Sequence, residues 1–165
     1  MNRPATRDEA RLRVATRADI PLLARHHRMM FDEIRETTGL SLDSSEQAAL
    51  EKEYSEKLSG EIPEGTCVAW VVGDGATVFA SGAVSIVRYV PVPHDLQCRV
   101  AFLHSIYTEK EYRHRNHARS ITKEAARFCR ERGIRRLYLF ASDAGRPLYE
   151  SAGFTKVPNM MLLLQ

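Results

Sequence analysis

The spacing of apolar residues changes along the chain from every second position to every third or fourth and back, and these changes mark the elements. Residues 11–16 (RLRVAT) alternate and predict a first strand. Asp19 as N-cap, with Pro21 in the first turn, then announces a helix. Along it Ile20, Leu23, Ala24, His27, Met30, Phe31 and Ile34 recur at helical spacing and are expected to face the core, until Gly39 breaks the pattern. His27, lying on this stripe, reads as a core histidine with a hydrogen-bond partner. Ser44 with Gln47 three residues on is a capping-box pattern for a second helix. Leu50, Tyr54 and Leu58 form its narrow apolar stripe, and its end is expected between Gly60 and Gly65, around Pro63.

Strand patterning follows. Residues 66–72 (TCVAWVV), the tight turn Gly73-Asp74-Gly75 and a longer strand over 76–87 form a hairpin. Pro91 and Pro93 mark a loop that leads into a strand from Arg99 to about Tyr107. A long helix opens within YRHRNHA and runs to Arg132, closed by Gly133, with Ala118, Ile121, Ala125, Phe128 and Cys129 on its buried side. A strand at 135–141, a short helix at 146–152 and one or two last strands within 154–164 complete the order β-α-α-β-β-β-α-β-α-β. A strand, long helix and strand in the C-terminal half imply a parallel crossover. The expected fold class is therefore α/β with a mixed (α+β) sheet, in one domain over 1–165 whose first eight or so residues are frayed.

Composition narrows the class only a little. An apolar fraction of 44% and a charged fraction of 27% suit a globular chain with one core. No apolar run is long enough to cross a bilayer, and the charged start has no apolar signal region, so the cytoplasm is the expected compartment and no membrane partner is expected. Cys67, Cys98 and Cys129 are an odd, widely spaced set, read as reduced and mostly buried. The net charge of +3 is unevenly placed. From Arg113 to Arg136 the arginines and Lys123 meet only Glu124 and Glu131, which points either to a nearby polyanion or to a solvated basic face.

The stretch IYTEKEYRHRNHARSITKEAARF carries the chemistry. It is a strand ending in a basic turn that becomes a helix, and a helix start offers unpaired N–H groups and the positive end of its dipole to an anion. Asn116 tolerates the left-handed conformation such a turn needs. Arg115, Arg119, Lys123 and Arg127 share one stripe of the helix, and solvation alone explains the last two better. His114 and His117 at i, i+3 lack companion ligands, so no metal site is expected.

Arg113-x-x-Asn116-x-Ala118 resembles the acetyl-CoA-binding signature of the GNAT acetyltransferase superfamily, commonly written R/Q-x-x-G-x-G/A. Ile106 and Thr108 match the strand before that signature, and DAGRPLYESAGF, Asp143 to Phe154, is similar to the second signature of the family. The element order agrees over essentially the whole chain. Asn116 and His114 stand where glycines are usual, which puts cofactor affinity in question. The resemblance implies the GNAT acyl-CoA N-acyltransferase fold, a layer-packed mixed sheet with helices on both faces, and acetyl-CoA as cofactor. It implies that Ile106, Tyr107, Thr108, Arg113, His114, Arg115, Asn116, His117, Ala118 and Arg119 bind the cofactor, with the Thr108 N–H and Ile106 carbonyl on the pantetheine arm. It makes Tyr149 both a cofactor contact and the acid that protonates the departing thiolate. His104, on the strand into the loop, is the first candidate for the base, and Glu33 the second. The acceptor is then a small-molecule or peptide amine, held by the first two helices, the connection after them and the Pro91–Cys98 loop. Homodimers are frequent in the family.

Two other classes fit the same residues. A CoA-binding module without turnover is favoured by the altered glycines and would bind the cofactor without releasing free thiol. Nucleic-acid binding by the basic helix would weaken steeply with salt. Against it, the basic residues cluster at one helix start and no aromatic platform is interleaved with them, so no nucleic-acid partner is expected.

Overall fold

A computed structural model describes residues 9–75 and 77–165; residues 1–8, expected to be frayed, lie outside the described residues. The elements are β1 (Arg11–Val14), α1 (Ile20–Glu36), α2 (Ser44–Glu64), β2 (Cys67–Gly73), β3 (Val78–Arg88), β4 (Arg99–Thr108), α3 (His117–Glu131), β5 (Leu137–Leu139) and α4 (Arg146–Ser151). The strands form one sheet in sequence order, antiparallel from β1 to β4 and parallel between β4 and β5, across which α3 is the crossover.

Both early helices begin slightly differently from the sequence expectation. Asp19 does not cap α1. Its carboxylate accepts the Thr16 N–H at 2.7 Å and is gripped by both Arg13 nitrogens at 2.7 and 2.8 Å, which closes a short 3-10 turn just before α1. That guanidinium contact holds the Asp19 carboxyl down at about 2. The capping box of α2 is one residue upstream of the expected one. Asp43 Oδ1 accepts the Glu46 N–H at 2.8 Å, and Glu46 Oε2 accepts the Asp43 N–H at 2.9 Å. The helix also continues through Gly60 and Pro63 and stops only at Gly65, which is left-handed at φ 72°.

Alternation along the strands builds two layers. Trp70, Val72, Val84, Ala101 and Leu103 point to α3 and meet Ile121, Ala125 and Cys129. Cys67, Ala69, Val71 and Ala83 point the other way, to Leu23, Ala24, Tyr54 and Leu58 of α1 and α2. Helices therefore cover both faces. Cys67 and Cys129 are buried, Cys98 is exposed, and all three are free thiols. The buried stripe of α1 stops after its second turn, because Phe31 and Ile34 reach past the sheet into solvent. Its fully buried histidine is His26 rather than His27. The expected strands after α4 do not form. β5 is three residues long and pairs only with β4, and residues 155–165 are exposed throughout. No helix among the described residues is long and apolar enough to cross a membrane.

Arg136 also departs from expectation. It is not part of a basic surface: Nε donates to buried Asp95 at 2.7 Å, and Nη2 donates to the carbonyls of Val90 and Gln97. The loop before β4 is thereby fastened to the start of β5, at the opposite end of β4 from Thr108.

Candidate active site

The site begins with a fault in the β3–β4 ladder. Ser81 stands opposite Tyr107 but Ala83 opposite His104, so Gly82 faces two residues, Ser105 and Ile106. Ser105 takes up the extra length at φ 56°, a left-handed position for a non-glycine residue in a strand. A β-carbon on Gly82 would come within 2.3 Å of Ile106 Cδ1 and 2.8 Å of Ile121 Cγ2, so only glycine admits this packing. The bulge interrupts alternation. Ile106 turns to the α3 layer, while Ser105 and Tyr107 join His104 on the side of α1 and α2.

Beyond the bulge β4 has an open edge. β5 pairs only with Ala101–Leu103, leaving His104–Thr108 without a strand on that side among the described residues. The Glu109 N–H bonds back to the Phe79 carbonyl at 2.9 Å, so Tyr107 and Glu109 aim their backbone at β3. Ile106 and Thr108 accordingly aim theirs at the open edge.

The turn after β4 holds two left-handed residues, His114 at φ 60° and Asn116 at φ 64°. Both are positions where the signature has glycine, and the backbone keeps the glycine conformation without the glycines. The first helical bond of α3 is from Ser120 N–H to the Asn116 carbonyl, and no side chain caps the helix. The N–H groups of His117, Ala118 and Arg119 are thus available to an anion, and the Asn116 side chain does not occupy them. Arg119 has no ion pair or hydrogen bond among the described residues. The turn is braced from below, where Tyr112 stacks on Phe79 at 4.2 Å and His117 lies 4.9 Å from the same ring. These features fit a phosphate-bearing cofactor.

Arg113 has a different task from its neighbours. Its Nε donates to the Thr108 carbonyl at 2.9 Å and Nη2 donates to both Glu33 oxygens at 2.8 Å. The Tyr107 hydroxyl also donates to Glu33, at 3.1 Å. Burial, reinforced by the Glu33 charge, pushes the Tyr107 phenol up to about 12. Glu33 and Arg113 are therefore partners, joining α1 to the turn before α3. Beside them, a hollow of about 520 Å³ lies between α1 and the end of β4, with Asp32, Glu33, Glu36, Glu109 and Glu111 among its lining.

On the α1–α2 side, the bulge gathers a polar cluster. His104 Nε2 lies 2.8 Å from Ser85 Oγ, and its Nδ1 lies 3.0 Å from Ser105 Oγ and 3.3 Å from the Tyr54 hydroxyl. His27 Nδ1 lies 2.7 Å from Ser105 Oγ, with its ring stacked on Tyr54 at 3.9 Å. Burial brings both imidazoles down to about 4, with the Lys57 charge adding to the effect at His104. His26 is enclosed next to them, 2.8 Å from Ser81 Oγ and 3.3 Å from Glu109 Oε1, and burial lowers it too. Tyr149, on α4, is half-buried against the α3 layer, and burial raises its phenol. Its hydroxyl has no hydrogen-bond partner among the described residues.

The structure thus brings His104 into a cluster that sequence reasoning did not foresee, since Tyr54, Ser85 and Ser105 carry no motif. His26 was missed because two histidines in succession differ by only one helical step.

The chain belongs to the acetyltransferase (GNAT) family, whose pattern it matches over residues 28–154. A predicted acetyltransferase with acetyl-CoA from Clostridium acetobutylicum has a similar structure at 21% identity and a TM-score of 0.84, over 94% of this chain and 96% of that one. A GCN5-related N-acetyltransferase from Ralstonia eutropha matches at 24% identity and 0.83, over 94% and 99%. An aminoglycoside N-acetyltransferase in complex with CoA matches at 14% and 0.66, over 95% of both chains. No curated protein matches the sequence significantly.

Proposed function

We propose that this chain is an acyl-CoA-dependent N-acetyltransferase of the cytoplasm that moves an acetyl group from acetyl-CoA to a primary amine, directly, in a ternary complex. One observation carries the reading: an uncapped helix start with two left-handed residues sits beside the open edge of a bulged strand. Acetyl-CoA in one similar structure and CoA in another support it.

Acetyl-CoA supplies an activated thioester when bound. The N–H groups of His117, Ala118 and Arg119, with the Arg119, Arg115 and His114 side chains, hold its diphosphate. The Ile106 carbonyl and Thr108 N–H hold the pantetheine arm along the β4 edge, in the role a strand neighbour would otherwise take. Arg113 fixes that edge through the Thr108 carbonyl. Tyr149 gives its proton to the departing sulfur; a phenol raised by burial keeps that proton until a thiolate is there to take it. His104 belongs to the group that removes the amine proton. Glu33, neutralised by Arg113, orders the turn.

The test is CoA release from acetyl-CoA across a panel of amino acids, polyamines, aminoglycosides, arylalkylamines and peptides with free N-termini. Tyr149→Phe is expected to lower kcat for the amine that reacts by about 100-fold or more. An unchanged rate removes Tyr149 as the acid. Binding of CoA with no thiol release for any amine supports the silent module instead.

A further inference from the structure

Both ring nitrogens of His104 are engaged by protein hydroxyls, Nε2 by Ser85 and Nδ1 by Ser105 and Tyr54. Neither is left for an incoming amine. The nitrogen that is left is on His27. Its Nδ1 meets the same Ser105 hydroxyl at 2.7 Å, while its Nε2 makes no hydrogen bond among the described residues and is not sealed from solvent. His27, Ser105 and His104 therefore form one chain with a single open end. The left-handed bulge makes this chain, since it sets Ser105 on the same side of the sheet as His104. The open end is held in place too, with the His27 ring stacked on Tyr54 and met edge-on by Phe31 at 5.0 Å.

We propose that Nε2 of His27 is the atom that takes the proton of the acceptor amine, and that His104 positions it through the Ser105 hydroxyl. This rests on the acetyltransferase reading and changes which histidine meets the substrate.

One direction of this network leaves His27 able to accept. The Ser105 oxygen, with two lone pairs, accepts from the buried Tyr54 hydroxyl and from His27 Nδ1–H. The Ser105 hydroxyl donates to the one lone pair of His104 Nδ1, and His104 carries its hydrogen on Nε2 and donates it to Ser85. That leaves a lone pair on His27 Nε2, at the open end. The reaction needs such an atom. An ammonium R–NH3⁺ becomes an amide R–NH–CO–CH3, so the nitrogen loses two protons as the N–C bond forms and the C–S bond breaks. One proton ends on the CoA sulfur and the other has to reach water. Burial brings His27 down to about 4, so at neutral pH it is uncharged but a weak base. The proton it takes is therefore the one the nitrogen loses as the N–C bond forms, and it passes that proton on to water. The titratable and charged groups that act on the chain are Tyr54, Lys57 and Glu61 of α2 and Cys67 of β2, with the Ser85 hydroxyl of β3 beside them.

The first test needs no substrate. Long-range ¹H–¹⁵N spectra of the imidazoles in the intact wild-type protein are expected to show His27 as the Nδ1–H form and His104 as the Nε2–H form at neutral pH. Ser105→Ala is expected to lose the His27 preference and to uncouple the acid titrations of the two rings. His27 found in the Nε2–H form in the wild type overturns the proposal. The second test uses acetyl-CoA with whichever amine of the panel is turned over. His27→Gln is expected to lower kcat by about 100-fold, with KM for acetyl-CoA unchanged and the acid limb of the pH–rate profile removed. Ser105→Ala and His104→Gln are expected to lower kcat by about tenfold and to shift that limb, and neither to add to His27→Gln. If His27→Gln left rate and profile alone while His104→Gln removed the limb, this assignment would fail and the acetyltransferase reading would stand. If no amine released thiol with the wild type, that reading would fail, and the tautomers would still decide the chain.

Discussion

The two faces of the sheet reach polarity by different routes. On the α3 side the interior is apolar from Trp70 and Leu103 to Ile121, apart from Thr122, whose hydroxyl bonds back to the Ala118 carbonyl of its own helix. Further polarity enters at the rim, as the backbone N–H groups of an uncapped helix. On the α1–α2 side polarity lies inside, as His26, His27, His104 and three serines bonded to one another. Small residues make room for it: Ala69, Ala83, Ser81 and Ser85 stand where the other face has Trp70, Val72 and Val84. Backbone donors suit a ligand with fixed charge, whereas imidazoles suit a proton that must come and go. The contrast is what the proposed reaction needs, with cofactor on one side and amine on the other.

The largest expected effect tests whether the α3 face is held by packing. Ile121 is fully buried, and Ile121→Ala is expected to destabilise the fold by about 2–5 kcal/mol in urea unfolding. On the other face Ser85→Ala removes one partner of His104 and is expected to cost about 1–3 kcal/mol. Equal losses would mean that the two faces are held alike.

A smaller effect separates the faces by pH. Because the folded chain keeps His104 near 4 against 6.5 in the unfolded chain, the unfolded state takes up its proton first as acid is added. Stability should fall between pH 6.5 and 4, by about 3 kcal/mol at most from His104. His27 should contribute less, since solvent screens its open end. Urea midpoints followed across that window check this, and His104→Gln should flatten the slope. A slope unaltered in that variant would show that His104 is not the residue held neutral.

Much of this was legible beforehand, and the rest was hidden for identifiable reasons. The helices and the hairpin were readable because their apolar periods are long, and the family because Arg113, Asn116 and Ala118 keep the spacing of a signature. The bulge was not readable. Nothing in Leu103-His104-Ser105-Ile106-Tyr107 marks an inserted residue, and the left-handed position is taken by serine rather than glycine. Without the bulge, Ser105 would be assigned to the wrong side and no chain to His27 could be drawn. The tail misled for another reason: Met160–Leu164 is apolar enough for a strand, yet β5 gives it no ladder.

The smallest expected effect concerns the backbone route. His114 occupies the left-handed region, which costs a side-chain-bearing residue roughly 1–2 kcal/mol, while Asn116 in the same region costs less. His114→Gly should relieve that strain but give the unfolded chain more freedom, worth about 0.4–1 kcal/mol in the other direction. The net expectation is a gain of about 0.5 kcal/mol, read as a slightly higher Tm. Asn116→Gly should be nearly neutral. If the amides rather than these side chains grip the diphosphate, CoA affinity measured by calorimetry should survive both changes with only a modest loss from the His114 ring. A drop in both stability and affinity for His114→Gly would mean that the imidazole, not the turn it sits on, makes the site, and the division between a backbone face and a side-chain face would not hold.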